Sequence, residues 1–94
     1  MKEVVIKILR KALKEIGAKL SVEEIDKILE TPPSIDMGDY SFPCFFLAGS
    51  MKKSPNEIAI ELREKIGNIP ETDLDDVQTA GPYVNFFLDR KNMA

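Results

Sequence analysis

Ala80-Gly81-Pro82-Tyr83-Val84-Asn85-Phe86-Phe87-Leu88-Asp89 is the stretch from which the fold can be read. Successive side chains on a β-strand point to opposite faces. Val84, Phe86 and Leu88 therefore share one face and read as core. Tyr83, Asn85 and Phe87 share the other. Two aromatic rings on either side of an amide suit a nucleobase: the rings can stack on it, and the amide can donate and accept along its edge. The alternative is structural, with a second layer burying Tyr83 and Phe87 and Asn85 capping a loop. On the strand alone the structural reading is the simpler one, and the rest of the chain shifts the balance.

Immediately upstream, Gly81-Pro82 reads as a two-residue hairpin turn, because glycine at the first central position of a II′ turn supplies the positive φ needed there. Asp75 to Ala80 becomes the partner strand, with Val77 and Thr79 on one side. The expected strands are thus residues 75–80 and 82–89. Before them, Asn68 to Asp73 is a polar loop containing Pro70. After them, residues 90–94 trail off, and the chain reads as one domain, residues 1–94, belonging to a longer protein.

The first half is helical in pattern. Val4, Val5, Ile8, Leu9, Ala12, Leu13 and Ile16 form an apolar stripe at helical spacing, giving a helix over 2–17. Its other side carries Lys7, Arg10, Lys11 and Lys14. A solvated face is the ordinary reading of such a stripe and a phosphate-facing one the alternative, with Glu3 and Lys7 spaced as a stabilising i,i+4 pair. Ser21-Val22-Glu23-Glu24 is a capping box that opens a helix over 21–30, ended by Thr31-Pro32-Pro33. Ser34-Ile35 suggests a short edge strand over 33–36, and Asp36 to Tyr40 a turn. Asp36 and Asp39 are two loop carboxylates with no further ligand pattern, so no metal site is assigned. Ser41 and Pro43 suggest a capped helix over 42–52, with Cys44, Phe45, Leu47, Ala48 and Met51 on its buried side. Ser54-Pro55-Asn56-Glu57 opens another helix over 55–66, whose stripe is Ile58, Ala59, Leu62 and Ile66.

Ninety-four residues with 44% hydrophobic and 31% charged content describe one globular domain. The net charge of −3 argues against a general nucleic-acid binder, yet leaves room for a module that makes a few directed contacts. The single cysteine, Cys44, cannot form an internal disulfide and reads as a small apolar filler in a reducing compartment. With no histidine to activate it, a nucleophilic role is not assigned. Neither a signal peptide nor a membrane-length apolar run is present in the sequence, so a cytoplasmic protein without a membrane partner is expected.

Three pieces in order carry a resemblance: Gly38-Asp39-Tyr40, then Lys53-Ser54-Pro55-Asn56-Glu57-Ile58-Ala59, then Ala80 through Leu88. Together they resemble the N-terminal additional domain of arginyl-tRNA synthetases, over residues 1–89. The last piece is the most specific. The resemblance implies an α+β fold, two layers with helices on one face of a small antiparallel sheet. It also implies a non-catalytic domain that contacts the D-loop of tRNA(Arg) at the elbow. In some members a tyrosine and an asparagine two residues apart on the last strand help read a D-loop base; those positions match Tyr83 and Asn85. Phe87 is aromatic at the next outward position. The parent enzyme would be an ATP- and magnesium-dependent arginine–tRNA ligase, with its catalytic domain on the same chain and DNA not among its partners. No catalytic, cofactor or metal-binding residue is assigned here, because the histidine-containing signature of class I synthetases is missing. Met51-Lys52-Lys53-Ser54 resembles the lysine-serine signature of those enzymes only superficially and falls between two expected helices. The rival reading is a protein-interaction or dimerisation module using the Tyr83, Asn85 and Phe87 face.

Overall fold

The computed structural model describes residues 2–33, 38–67 and 74–88. In chain order these form α1 (Lys2–Glu15), α2 (Val22–Ile28), β1 (Tyr40–Pro43), α3 (Phe45–Met51), α4 (Pro55–Ile66), β2 (Leu74–Ala80) and β3 (Tyr83–Leu88). Residues 34–36 of the strand expected over 33–36 lie outside the described ones, as do the loop at 68–73, the side chain of Leu88 and the tail from 89.

The three strands make an antiparallel sheet in the order β1-β3-β2, with the last strand in the centre. Ala80 pairs with Tyr83 across the two-residue turn, and Gly81 has a φ of +59°, the sign that the turn demands. Val84 and Phe86 point from β3 into the core, flanked in register by Phe42 and Tyr40 on β1 and by Thr79 and Val77 on β2. They meet Val5, Leu9 and Leu13 of α1, Ile25 of α2, and Ile58 and Leu62 of α4 in one buried cluster. The fold is α+β: helices cover one face of a small antiparallel sheet.

Helix starts follow the local chemistry where nothing competes. The Ser21 side chain accepts from the Glu24 amide at 3.1 Å while Glu24 Oε1 accepts from the Ser21 amide at 3.1 Å, completing the capping box. The Ser54 hydroxyl accepts from the Glu57 amide at 3.2 Å, with Pro55 in the first turn of α4. At the other end of α4, Arg63 donates through Nε to the Val77 carbonyl and through Nη1 to the Gly67 carbonyl, fastening the helix to β2.

The segment from Tyr40 to Pro43 departs from expectation. It is a strand, and α3 begins only at Phe45. Ser41, Phe42 and Pro43 pair with Asn85, Val84 and Tyr83, and Ser41 exchanges two backbone hydrogen bonds of 2.8 Å with Glu30 on its other side. A serine cap stabilises a helix by about 1 kcal/mol. Phe42 instead becomes fully buried against Val84, and burial of an aromatic outweighs a cap. Pro43 is tolerated because it ends a strand at the border of the sheet. Gly38 explains how the chain enters β1. Its φ is +97°, and a Cβ there would stand 2.9 Å from the Phe86 carbonyl oxygen, so only glycine lets the backbone lie this close to β3. The next amide, of Asp39, then donates to that same carbonyl at 2.8 Å.

Candidate functional site

The outward face of the sheet is built on Tyr83, Asn85 and Phe87, a row about 13 Å long at the usual rise of a strand. The register sets Ser41 and Gln78 on either side of Asn85, Pro43 and Ala80 on either side of Tyr83, and Asp76 beside Phe87. Tyr83 and Phe87 are partly exposed.

Asn85 differs from the sequence expectation. It retains only 4% of its surface, as does Ser41. The Ser41 hydroxyl donates to Asn85 Oδ1 at 2.8 Å. Asn85 therefore does not stand free on the face: its carbonyl oxygen is engaged, and its remaining capacity lies chiefly in the two N–H groups of Nδ2. The cause is position. Asn85 is central in the central strand, with Ser41 and Gln78 crowding it laterally and Gly38 packed 3.5 Å, measured from an added Cβ, from its own Cβ. A buried amide bonded this way is oriented before any partner arrives, which favours selective recognition over adaptable contact.

Tyr83 is held as well. The ring of Phe45 stands 5.6 Å from it at 86°, an edge-to-face pair. Phe45 was expected on the buried side of its helix, yet it is 54% exposed, and Phe46 is 41% exposed with its ring edge-on to Phe42 at 5.7 Å. The strand through Pro43 delays the helix, and Leu47 becomes the buried residue of α3. At 100° per residue, Phe45 lies about 200° from Leu47, on the opposite side of the helix. The sequence held that signal in the spacing of Leu47, Ala48 and Met51, which excludes Phe45 from their stripe. Perpendicular rings at Phe45 and Tyr83 form a corner into which a flat group can stack on one ring and touch the edge of the other.

Other candidates lie elsewhere. Cys44 sits in the core with no exposed surface, and burial pushes its thiol up from 9.0 to about 12, so it stays protonated and unreactive at neutral pH. Its neighbour across the turn is Pro82, whose carbonyl accepts from the Cys44 amide at 3.0 Å. Lys52 and Lys53 join α3 to α4, and Lys53 pairs with Glu61 at 2.6 Å. Asp36 lies outside the described residues. Among the described residues no three histidine, cysteine or carboxylate side chains cluster as metal ligands, and no helix is long and apolar enough to cross a membrane.

Comparison with known proteins fits this arrangement. The family model described as "Arginyl tRNA synthetase N terminal domain" matches residues 3–88. An arginine–tRNA ligase of Clostridium botulinum (strain Loch Maree / Type A3) is 50% identical over 74 residues, 79% of this chain and 13% of that protein. One from Clostridioides difficile (strain 630) is 49% identical over 82 residues, 87% of this chain and 14% of that protein. Among solved structures, the Thermus thermophilus arginyl-tRNA synthetase superposes with a TM-score of 0.77 at 28% identity, over 99% of this chain and 15% of that one. The chain thus spans about a seventh of the length of the relatives it matches.

Proposed function

The chain belongs to the arginyl-tRNA synthetase N-terminal domain family, and from that premise we propose that it is a non-catalytic tRNA-binding domain whose Tyr83 face receives a base of the D-loop of tRNA(Arg). The observation that carries the reading is the pairing of a propped aromatic, Tyr83 against Phe45, with an oriented amide, Asn85 against Ser41, on the sheet face turned away from the helices. A ring held edge-on by another loses little freedom when a base stacks on it. An amide whose oxygen is already engaged presents N–H donors, so the base edge it favours is one with an acceptor. Phe87, four residues along the same face, extends the apolar surface.

In a full-length ligase this domain would hold the tRNA while an ATP- and magnesium-using catalytic domain of the same chain charges its acceptor end, in the cytoplasm. Its contribution would be positioning, which matters because small displacements at the reacting end reduce the rate strongly. The test is titration of the chain into a tRNA(Arg) transcript and into transcripts with substituted D-loop bases. Tyr83→Ala should weaken binding to the native transcript about 5- to 150-fold, the equivalent of ~1–3 kcal/mol of stacking. Asn85→Ala should flatten the preference among D-loop bases. Equal binding of every transcript by wild type and both variants would remove this reading. A protein-interaction or dimerisation surface is the second reading, favoured by the exposure of Phe45 and Phe46. It requires association of the chain with itself or a protein partner through that patch, reversed by Phe45→Ser.

A further inference from the structure

Away from the sheet, α1 presents a surface unlike the rest of this acidic chain. Lys7, Arg10, Lys11 and Lys14 recur at i, i+3, i+4 and i+7 and form one stripe. At 1.5 Å per residue, Lys7 and Lys14 are about 10 Å apart along the axis. The stripe borders two adjoining hollows that share Arg10 and Lys14. One, of about 320 Å³, is closed by Lys19, Ala18 and Leu20. The other, of about 380 Å³, is closed by Lys7, Lys11 and Val22.

Among the described residues no carboxylate lines either hollow. Among the described residues, none of Lys7, Arg10, Lys11, Lys14 and Lys19 makes an ion pair within 4 Å, and the i,i+4 pair expected for Lys7 does not form. Of the other described cations, Lys2, at one end of the same helix, bonds Asp26 of α2 at 2.8 Å and Lys53 bonds Glu61, while Lys27, Lys52 and Lys65 are exposed and dispersed, so it is the clustering that sets the α1 stripe apart. Five of the chain's 13 lysines and arginines thus gather unneutralised in a molecule whose net charge is −3. Like charges at these spacings weaken a helix, and an anionic ligand relieves that repulsion. The floor between them is apolar, with Val22 40% exposed beside Leu20 and Ala18. A cationic rim above an apolar floor matches a ribose–phosphate chain, with sugars against the floor and phosphates at the rim.

We propose that the groove between α1 and the start of α2 holds RNA sugar–phosphate backbone, with on the order of three phosphates facing Lys7, Lys11 and Lys14. The assignment rests on reading the chain as an RNA-binding domain, and it adds a contact on a surface separate from Tyr83. Because phosphate contacts carry no sequence information, the groove contributes affinity and the strand face contributes selectivity.

The discriminating quantity is salt dependence. The chain is titrated into the tRNA(Arg) transcript across roughly 50 to 200 mM KCl, and log K is plotted against log salt. The triple variant Lys7→Gln/Lys11→Gln/Lys14→Gln should lower the slope by about 2, at ~0.7–0.9 per lost phosphate contact. Wild type then loses about 20-fold more affinity than the variant over that range. Arginine at the same three positions should restore the wild-type slope. Lys27→Gln/Lys52→Gln/Lys65→Gln, the same charge change at exposed positions outside the groove, should leave the slope near wild type. An unchanged slope in the groove variant, or an equal fall in both triples, overturns the groove assignment. Tyr83→Ala separates the two readings. Loss of affinity there with no effect of the groove triple removes the groove alone, and the reverse pattern removes the strand-face reading alone. Absence of RNA binding by wild type at the lowest salt removes both.

Discussion

Two stretches thirteen residues apart carry nearly the same local signal and fold differently. Ser41-Phe42-Pro43 and Ser54-Pro55 both place a serine just before a proline, the pattern of a capped helix start. Ser54 caps α4 as its sequence indicates, accepting from the Glu57 amide. Ser41 is in a strand, and its hydroxyl donates across the sheet to Asn85. The segment around Ser54 is exposed and joins α3 to α4, and among the described residues it pairs with no strand. Ser41 lies between β3 and Glu30, where every extended residue gains a partner. A cap governs only where tertiary pairing offers nothing larger.

The largest test of that contrast is Phe42→Ala. As a fully buried strand residue it should cost about 3–5 kcal/mol, measured as the shift of a urea midpoint. That is a large share of the ~5–15 kcal/mol typical of a domain. A change below about 1 kcal/mol would return Phe42 to the exposed first turn of a helix.

Gly38→Ala comes next. The added methyl meets the Phe86 carbonyl at 2.9 Å from a φ of +97°, so a loss of about 1–3 kcal/mol is expected. Melting at the wild-type temperature would show that the approach of this segment to β3 is not what sets the entry to β1.

The serines themselves provide the third comparison. Ser41→Ala takes the hydroxyl donor from a buried amide and should cost about 1–3 kcal/mol. Ser54→Ala removes a cap and should cost about 0.5–2 kcal/mol. The sharper difference is coupling. A double-mutant cycle of Ser41→Ala with Asn85→Ala should give a clear interaction energy, whereas Ser54→Ala with Asn85→Ala should be additive within about 0.5 kcal/mol. Additivity in both cycles would dissolve the distinction.

The smallest effect is at alkaline pH and concerns Cys44, which lies between β1 and α3. Its thiol is pushed up to about 12 in the folded chain. The unfolded chain therefore releases that proton first, and stability attributable to it declines as pH rises from about 9 towards 12. Cys44→Ala should flatten that part of a stability–pH curve. An alkaline limb identical in the two proteins would show that Cys44 does not contribute to it.

The proposed binding face was partly readable for the same reasons. Alternation along β3 separates Val84 and Phe86 from Tyr83 and Phe87 with no knowledge of neighbours, because a strand has only two faces. It does not say that Asn85 would be enclosed. That depends on Ser41, 44 residues away, arriving in register. The exposure of Phe45 was hidden behind the same event, since the strand at Ser41 shifts where α3 starts and so which side of it is buried.

By itself the sequence determined the features that are settled within a few residues: most of the apolar stripe of α1, namely Val5, Leu9, Ala12 and Leu13 though not the buried Ile6, the capping box at Ser21, the cap at Ser54, and the Gly81 turn that joins β2 to β3. Each rests on periodicity, hydrogen bonds or steric limits among near neighbours, and at these places no larger tertiary pairing overrides them. Only the tertiary structure decided that Tyr40 to Pro43 pairs with the final strand, that Asn85 is oriented by Ser41, that Tyr83 leans on Phe45, and that the α1 cations find no carboxylate partner among the described residues. Those outcomes depend on surfaces meeting from distant parts of the chain, and burial of Phe42 and Phe86 against the helices is the larger energy that brings them together.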